Sequence, residues 1–154
     1  MASEDRKELG LVLCRSIKEN VSLQNFDKLS SASFIQKIKE KKMASEYTEK
    51  MSTKMNGIDD LVSSLSGGNQ QKVVLAKCLL SDPKVLIMDE PTRGIMVGLA
   101  EQGIAIIMIS SEMPELIGMS DRIIVMSGGK IRGELEGQEA QSQQTIMNLA
   151  FGGE

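Results

Sequence analysis

Two clusters in this chain have residue types and spacing that could do chemistry. In the first, Asp89 and Glu90 follow the branched and apolar run Val85-Leu86-Ile87-Met88 and precede Pro91. A run of that kind reads as a strand buried on both faces in a parallel sheet, and open α/β sheets place their ligands outside the carboxyl ends of such strands. Adjacent carboxylates are costly to bury without a cation or a proton. A hard metal such as magnesium, or acid-base work, is therefore one reading, and the start of a solvated loop is the other. The second cluster is Leu65-Ser66-Gly67-Gly68-Asn69-Gln70, at the start of a helical pattern. Two glycines there let an anion approach backbone N–H groups, and the serine hydroxyl can donate or cap. A plain turn into a helix would use the same residues.

Both clusters depend on the elements around them. The helix after Ser66 carries Val73, Ala76 and Leu80 with Leu75 and Leu79, and Ser81-Asp82-Pro83 ends it. Strands are expected at 85–88, 104–109 and 122–126. A short helix containing Met113, Leu116 and Ile117 lies between the last two, so the fold class is α/β with parallel core strands. Ser127-Gly128-Gly129-Lys130 is a turn, residues 131–135 return as a hairpin strand, and residues 145–151 form a last helix. Upstream, 11–14 is a strand or buried loop and 16–23 adds a helical turn. From Ser33 the spacing of Phe34, Ile35, Ile38, Met43, Tyr47, Met51 and Met55 predicts one helix or two, packed through those residues and stopped by Asn56-Gly57. Lysines 37, 39, 41 and 42 with Glu40 form its solvated face.

The totals exclude several chemistries. The 154 residues contain no histidine, which removes Ser-His-Asp and Cys-His catalysis and leaves acid-base work to carboxylates. A formal charge of −3 gives no reason to expect nucleic acid as a partner. Cys14 and Cys78 lie in apolar surroundings without C-x-x-C spacing and read as reduced core residues. The longest apolar run, 104–109, is far short of the roughly 20 residues of a membrane-spanning helix, and the charged residues 1–10 do not read as a signal peptide. A soluble intracellular protein is the expectation.

The clusters stand in one order: LSGGNQQKVVLAKCLLSDPKVLIMDEPT, from signature through helix and Asp-Pro to strand and Asp-Glu-Pro-Thr. That order resembles the ABC transporter ATPases, whose LSGGQ signature reads here as LSGGN. SEDRKELGLVL, DEPTRGI, SSEMPEL and MSDRIIVM are similar to the second nucleotide-binding domain of the tandem ATPases that drive bacterial monosaccharide importers, as for ribose, galactose or xylose. The resemblance implies a partial P-loop NTPase fold with a helical subdomain at about 16–64, and with the signature helix, Walker B strand and remaining core at 65–154. It implies ATP and Mg2+ as cofactors. Ser66, Gly67, Gly68 and Asn69 would touch the γ-phosphate of a nucleotide held by a second nucleotide-binding domain. Asp89 would hold magnesium through water, and Glu90 would polarise the attacking water. The implied partners are that second domain and a membrane permease, with a second copy of the chain as a further option. The implied location is the cytoplasmic face of the cell membrane.

The chain departs from the family pattern in three places. No stretch matches the P-loop G-x-x-x-x-G-K-[ST], so the resemblance implies an amino-terminally truncated domain. Between the first two core strands only residues 91–103 remain, with Pro91, Gly94, Gly98 and Gly103. This is close to the minimum of about 10–12 residues for a parallel crossover, so a regular covering helix is not expected and one sheet face should lose its cover. Met96 stands where the family's GIDVG has its aspartate, and Gly98 runs straight into LAEQG, which in the family ends a longer helix, so the segment reads as an internal deletion. Ser111 stands where most ABC ATPases carry a switch histidine; it can donate to a phosphate but carries no charge.

Overall fold

The computed structural model describes residues 10–31, 34–91 and 93–151, without the side chains of 93–95. Its residues group into one unit ending at Ile109 and another starting at Ser110.

The first unit begins with a capping box. Glu19 N–H donates to the Ser16 hydroxyl (3.2 Å) and Ser16 N–H donates to the Glu19 carboxylate (2.9 Å), which opens α1 (Ile17–Ser22). Those bonds to Ser16, backbone first, hold the Glu19 carboxyl below its ordinary value. Asn20 is buried; its Oδ1 accepts from Val12 N–H at 2.7 Å and its Nδ2 donates to the Ser16 carbonyl at 2.9 Å, which folds residues 12–16 onto α1. A short α2 (Phe26–Leu29) and the two-residue strands β1 (Ser30–Ser31) and β2 (Phe34–Ile35) lead to α3 (Lys37–Lys50). A 3-10 turn (Val62–Ser64) precedes α4 (Gly67–Leu79), and α1, α3 and α4 pack on one another. Ile17, Val21, Leu29, Val62, Val73 and Leu75 fill the space between. Lys28 Nζ donates to the Leu80 carbonyl (2.9 Å), placing a cation at the carboxyl end of α4 where the helix dipole favours one.

β3 (Val85–Asp89) pairs in parallel with β4 (Ala105–Ile109), from Val85 opposite Ala105 to Asp89 opposite Ile109. Between them runs α5 (Arg93–Ala100), which corrects the expectation that the crossover is too glycine-rich for a helix. Met96 and Leu99, three apart, are both buried, and this anchoring outweighs the cost of Gly94 and Gly98 in the helix, about 1 kcal/mol each. The strands are covered on one face only. Leu86 and Met88 are buried, whereas Val85, Ile87, Ile107 and Ile109 on the opposite face are exposed, Ile107 by 52%. Burial on both faces, expected from the continuous apolar run, is therefore not what forms.

Three further expectations are corrected in this unit. α3 stops at Lys50, where Ser52 turns left-handed (φ 49), so Met51 and Met55 lie beyond it. It buries Glu40, Ala44 and Thr48, four residues apart, and leaves Ile38 88% exposed. Lysines 37, 39, 41 and 42 are exposed as expected, but Glu40 is not; its carboxylate accepts from the buried Ser22 hydroxyl at 2.7 Å. Cys78 is buried and its thiol is pushed up by that burial, whereas Cys14 is exposed and is no core residue.

The second unit contains α6 (Met113–Met119), β5 (Arg122–Ser127), β6 (Lys130–Glu136), α7 (Gly137–Ala140) and α8 (Gln143–Phe151). β5 and β6 form an antiparallel hairpin across Gly128 and Gly129, both with positive φ (59 and 73) as a tight hairpin turn requires. The 122–126 segment is thus a hairpin strand with alternating burial, not a third doubly buried parallel strand. Ile123, Val125, Leu135, Ala140 and Ile146 form its core.

Candidate functional site

Ser66 is the N-cap of α4, in extended conformation (φ −62, ψ 156), and its side chain makes no capping bond to the helix. The first intrahelical bond runs from Gln70 N–H to the Ser66 carbonyl at 2.9 Å. The N–H groups of Gly67, Gly68 and Asn69 precede it at the open, partly positive end of a 13-residue helix. A Cβ added at Gly68 would meet nothing within 4 Å, so no contact inside the chain requires glycine at this helical position. Glycine there costs about 0.5–1 kcal/mol relative to alanine.

Asn69 uses its side chain inside the chain. Its Nδ2 donates to the Ser66 hydroxyl at 3.0 Å and its Oδ1 accepts from Lys54 N–H at 2.9 Å. Ser66, Asn69, Thr53, Lys54 and Asn56 line a recess of about 500 Å³ at the start of α4. The contribution of residues 53–56 is missed by reading the sequence, since the atom that fixes Lys54 is a backbone N–H and carries no side-chain signature.

Asp89 ends β3, and the chain then turns sharply. Glu90 has φ 45, a left-handed conformation that is uncommon for residues with a Cβ and concentrates at functional sites. Two bonds hold it. Its N–H donates to the Ile109 carbonyl at 2.9 Å, and its carbonyl accepts from Gln71 Nε2 on α4 at 3.3 Å. The helix carrying the glycine cluster is thereby tied to the strand end carrying the carboxylates. Gln71 is the second residue that sequence reasoning misses; the only available signal was its place one residue beyond LSGGNQ.

Asp89 and Glu90 offer hard oxygen donors, and no cluster of three or more acidic, histidine or cysteine residues able to hold a metal occurs among the described residues. Magnesium is commonly bound through one or two carboxylates, with phosphate and water oxygens completing its shell, and this donor set fits that mode. Ser111 is exposed and belongs to the second unit, beside Ser110, whose hydroxyl accepts from Glu112 N–H at 3.1 Å.

The ABC transporter profile matches residues 3–93. The xylose import ATP-binding protein of Thermoanaerobacter pseudethanolicus is 51% identical over 98% of this chain and 32% of its own length. The ribose import ATP-binding protein of Halalkalibacterium halodurans is 48% identical over 99% of this chain and 32% of its own length. The chain therefore spans about a third of these relatives. The second alignment covers 163 positions against 154 residues here, so that relative carries at least nine positions without a counterpart in this chain. A dimeric ATP-binding cassette bound to ADP and Pi superimposes with TM-score 0.68 at 22% identity, over 82% of this chain and 58% of the other. A Clostridium perfringens subunit of the cbiONQ transporter complex gives 0.69 at 23%, over 98% and 63%. These structures share the α/β fold. No described helix is long and apolar enough to cross a membrane.

Proposed function

Because this chain belongs to the ABC transporter family, we propose that it is part of the ATP-binding subunit of a sugar importer, in which ATP hydrolysis drives uptake of a monosaccharide. The importer names of relatives about half identical across nearly the whole chain support this reading. In it, Ser66, Gly67 and Gly68 serve a nucleotide held by a second nucleotide-binding domain, and a membrane permease at the cytoplasmic face receives the work. In this reading the sugar is chosen elsewhere in the importer.

ATP supplies the phosphoryl bond to be cleaved, and Mg2+ neutralises charge on its oxygens. Ser66 donates its hydroxyl, and Gly67 and Gly68 their N–H groups, to the γ-phosphate end. At the other half-site, Asp89 would hold magnesium through water, and Glu90 would accept a hydrogen bond from the attacking water and polarise it.

The observation that carries this reading is Gly68, a helical glycine whose missing Cβ leaves open space outside the chain and no packing reason within it. The signature loop is donated to a partner site, and these 154 residues purified alone, which contain no P-loop motif, are expected to show no ATP turnover. Mixed with an intact P-loop-bearing domain of the same family, the chain should change that domain's ATP turnover, and Ser66→Ala should reduce the change sharply while leaving a measurable remainder. Turnover by the chain alone that disappears in Glu90→Gln would refute the donor assignment. A mixture indistinguishable from the intact domain alone would refute the partnership.

A further inference from the structure

We infer that Asn69 is a positioning residue that orients the Ser66 hydroxyl and does not itself bind nucleotide; this deepens the reading of Ser66 as a γ-phosphate donor and rests on it. An asparagine side chain has one carbonyl acceptor and an NH₂ donor. Here the carbonyl is occupied by Lys54 N–H (2.9 Å) and the NH₂ points at Ser66 Oγ (3.0 Å). A serine hydroxyl has a single hydrogen. With Asn69 donating into the oxygen, that hydrogen cannot be spent on Asn69. It is left for an acceptor in the recess. Phosphate oxygens at neutral pH are acceptors, so the orientation imposed by Asn69 is the one a phosphate needs.

The anchor on the other side of Asn69 is fixed. Thr53 N–H donates to the Thr48 carbonyl of α3 at 3.0 Å, and Lys72 Nζ donates to the Ser52 carbonyl at 2.9 Å, so residues 52–54 are held from both α3 and α4. Gln70, the next residue with the same chemistry, cannot substitute. It is buried, with its Nε2 donating to the Val62 carbonyl at 3.2 Å. An aspartate at 69 would reverse the polarity, because it could still accept from Lys54 N–H but would accept the Ser66 hydrogen instead of leaving it free.

The test is a double-mutant cycle in the mixture of this chain with an intact P-loop-bearing domain, using MgATP as substrate. Asn69→Ala should lower the chain-dependent increment in kcat by about five- to tenfold, the worth of one hydrogen bond, with KM nearly unchanged. In a Ser66→Ala background the same substitution should cost less than about twofold, since its effect passes through Ser66. Asn69→Asp should lose at least as much as Asn69→Ala. Hydrogen exchange on the isolated chain supplies an independent readout: the Lys54 amide should exchange about tenfold faster in Asn69→Ala and keep its protection in Asn69→Asp. Equal losses with and without the Ser66 hydroxyl would make Asn69 a direct ligand and overturn the inference. So would an unchanged Lys54 amide in Asn69→Ala. If Ser66→Ala leaves turnover untouched, the reading of the signature loop fails and takes the inference with it, an outcome distinct from a Ser66 effect to which Asn69 merely adds.

Discussion

The left-handed backbone at Glu90 permits a test that separates the strain of the turn from the loss of the carboxylate. Replacing Glu90 by Gly or by Ala removes the same carboxylate, so the difference between the two variants isolates the backbone. A residue with a Cβ in the left-handed region is disfavoured by roughly 1–2 kcal/mol, while glycine gives back about 0.5–1 kcal/mol through the freedom it gains on unfolding. With φ at 45, the Gly variant should be more stable than the Ala variant by about 0.5–1 kcal/mol. The bonds from Glu90 N–H to Ile109 and from Gln71 Nε2 to the Glu90 carbonyl involve only the backbone of residue 90 and survive in both. At a urea slope of about 1.5 kcal/mol/M, the gap corresponds to midpoints about 0.3–0.7 M apart. Urea unfolding followed by circular dichroism reads this directly. A Gly variant no more stable than the Ala variant would show that the turn does not strain residue 90. Because the proposed contribution of this chain to a partner's turnover runs through the Ser66 loop, both variants should retain it, and the stability difference is read without a change in that contribution.

Two further outcomes are expected. Burial holds the Lys77 ammonium below the ordinary lysine value of 10.5, while its Nζ donates to the Gly10 carbonyl. Between the lowered value and 10.5 the unfolded chain binds the proton that the folded chain has released, so this group makes stability rise with pH across that window. Lys77→Met should flatten the rise, as read from urea midpoints of both proteins at about pH 8 and about pH 10; identical slopes would count against it. In the hairpin unit, a Cβ added at Gly133 would lie 2.8 Å from Leu149 Cδ1, so Gly133→Ala should destabilise by about 1–3 kcal/mol and recover part of that in combination with Leu149→Ala. Thermal unfolding measures this, and a neutral Gly133→Ala would refute it.

Much of the fold was legible because local signals and tertiary packing agree. α4 starts at Ser66-Gly67-Gly68 and stops before Ser81-Asp82-Pro83, and the hairpin turns on Gly128-Gly129, as their residue types dictate. α3 was misread because Phe34, Ile35 and Ile38 happen to fall at helical spacing. The neighbouring α1 instead selects the face of Glu40, Ala44 and Thr48, and the Ser22 hydroxyl makes a buried carboxylate tolerable there. The run Val85-Leu86-Ile87-Met88 reads the same whether one face or both are covered, because cover is supplied by residues distant in sequence. At the site, the order of the glycine cluster and the Asp89-Glu90 pair was legible. The bonds that fix them were not, since Lys54 N–H and the Glu90 carbonyl belong to the backbone that every residue shares.

Gly68 has a consequence for how this sequence would change over generations. Alanine at that position would meet open space and favour the helix, so folding alone pushes toward the substitution by about 0.4–1 kcal/mol. In the proposed reading, a nucleotide held at this loop opposes it. A lineage that no longer served a nucleotide would lose that opposition while the pull of stability remained, and its drift would run toward alanine at 68 long before it touched the buried Val73 or Leu75. Gly68 is thus a clock that runs only when the site falls out of use.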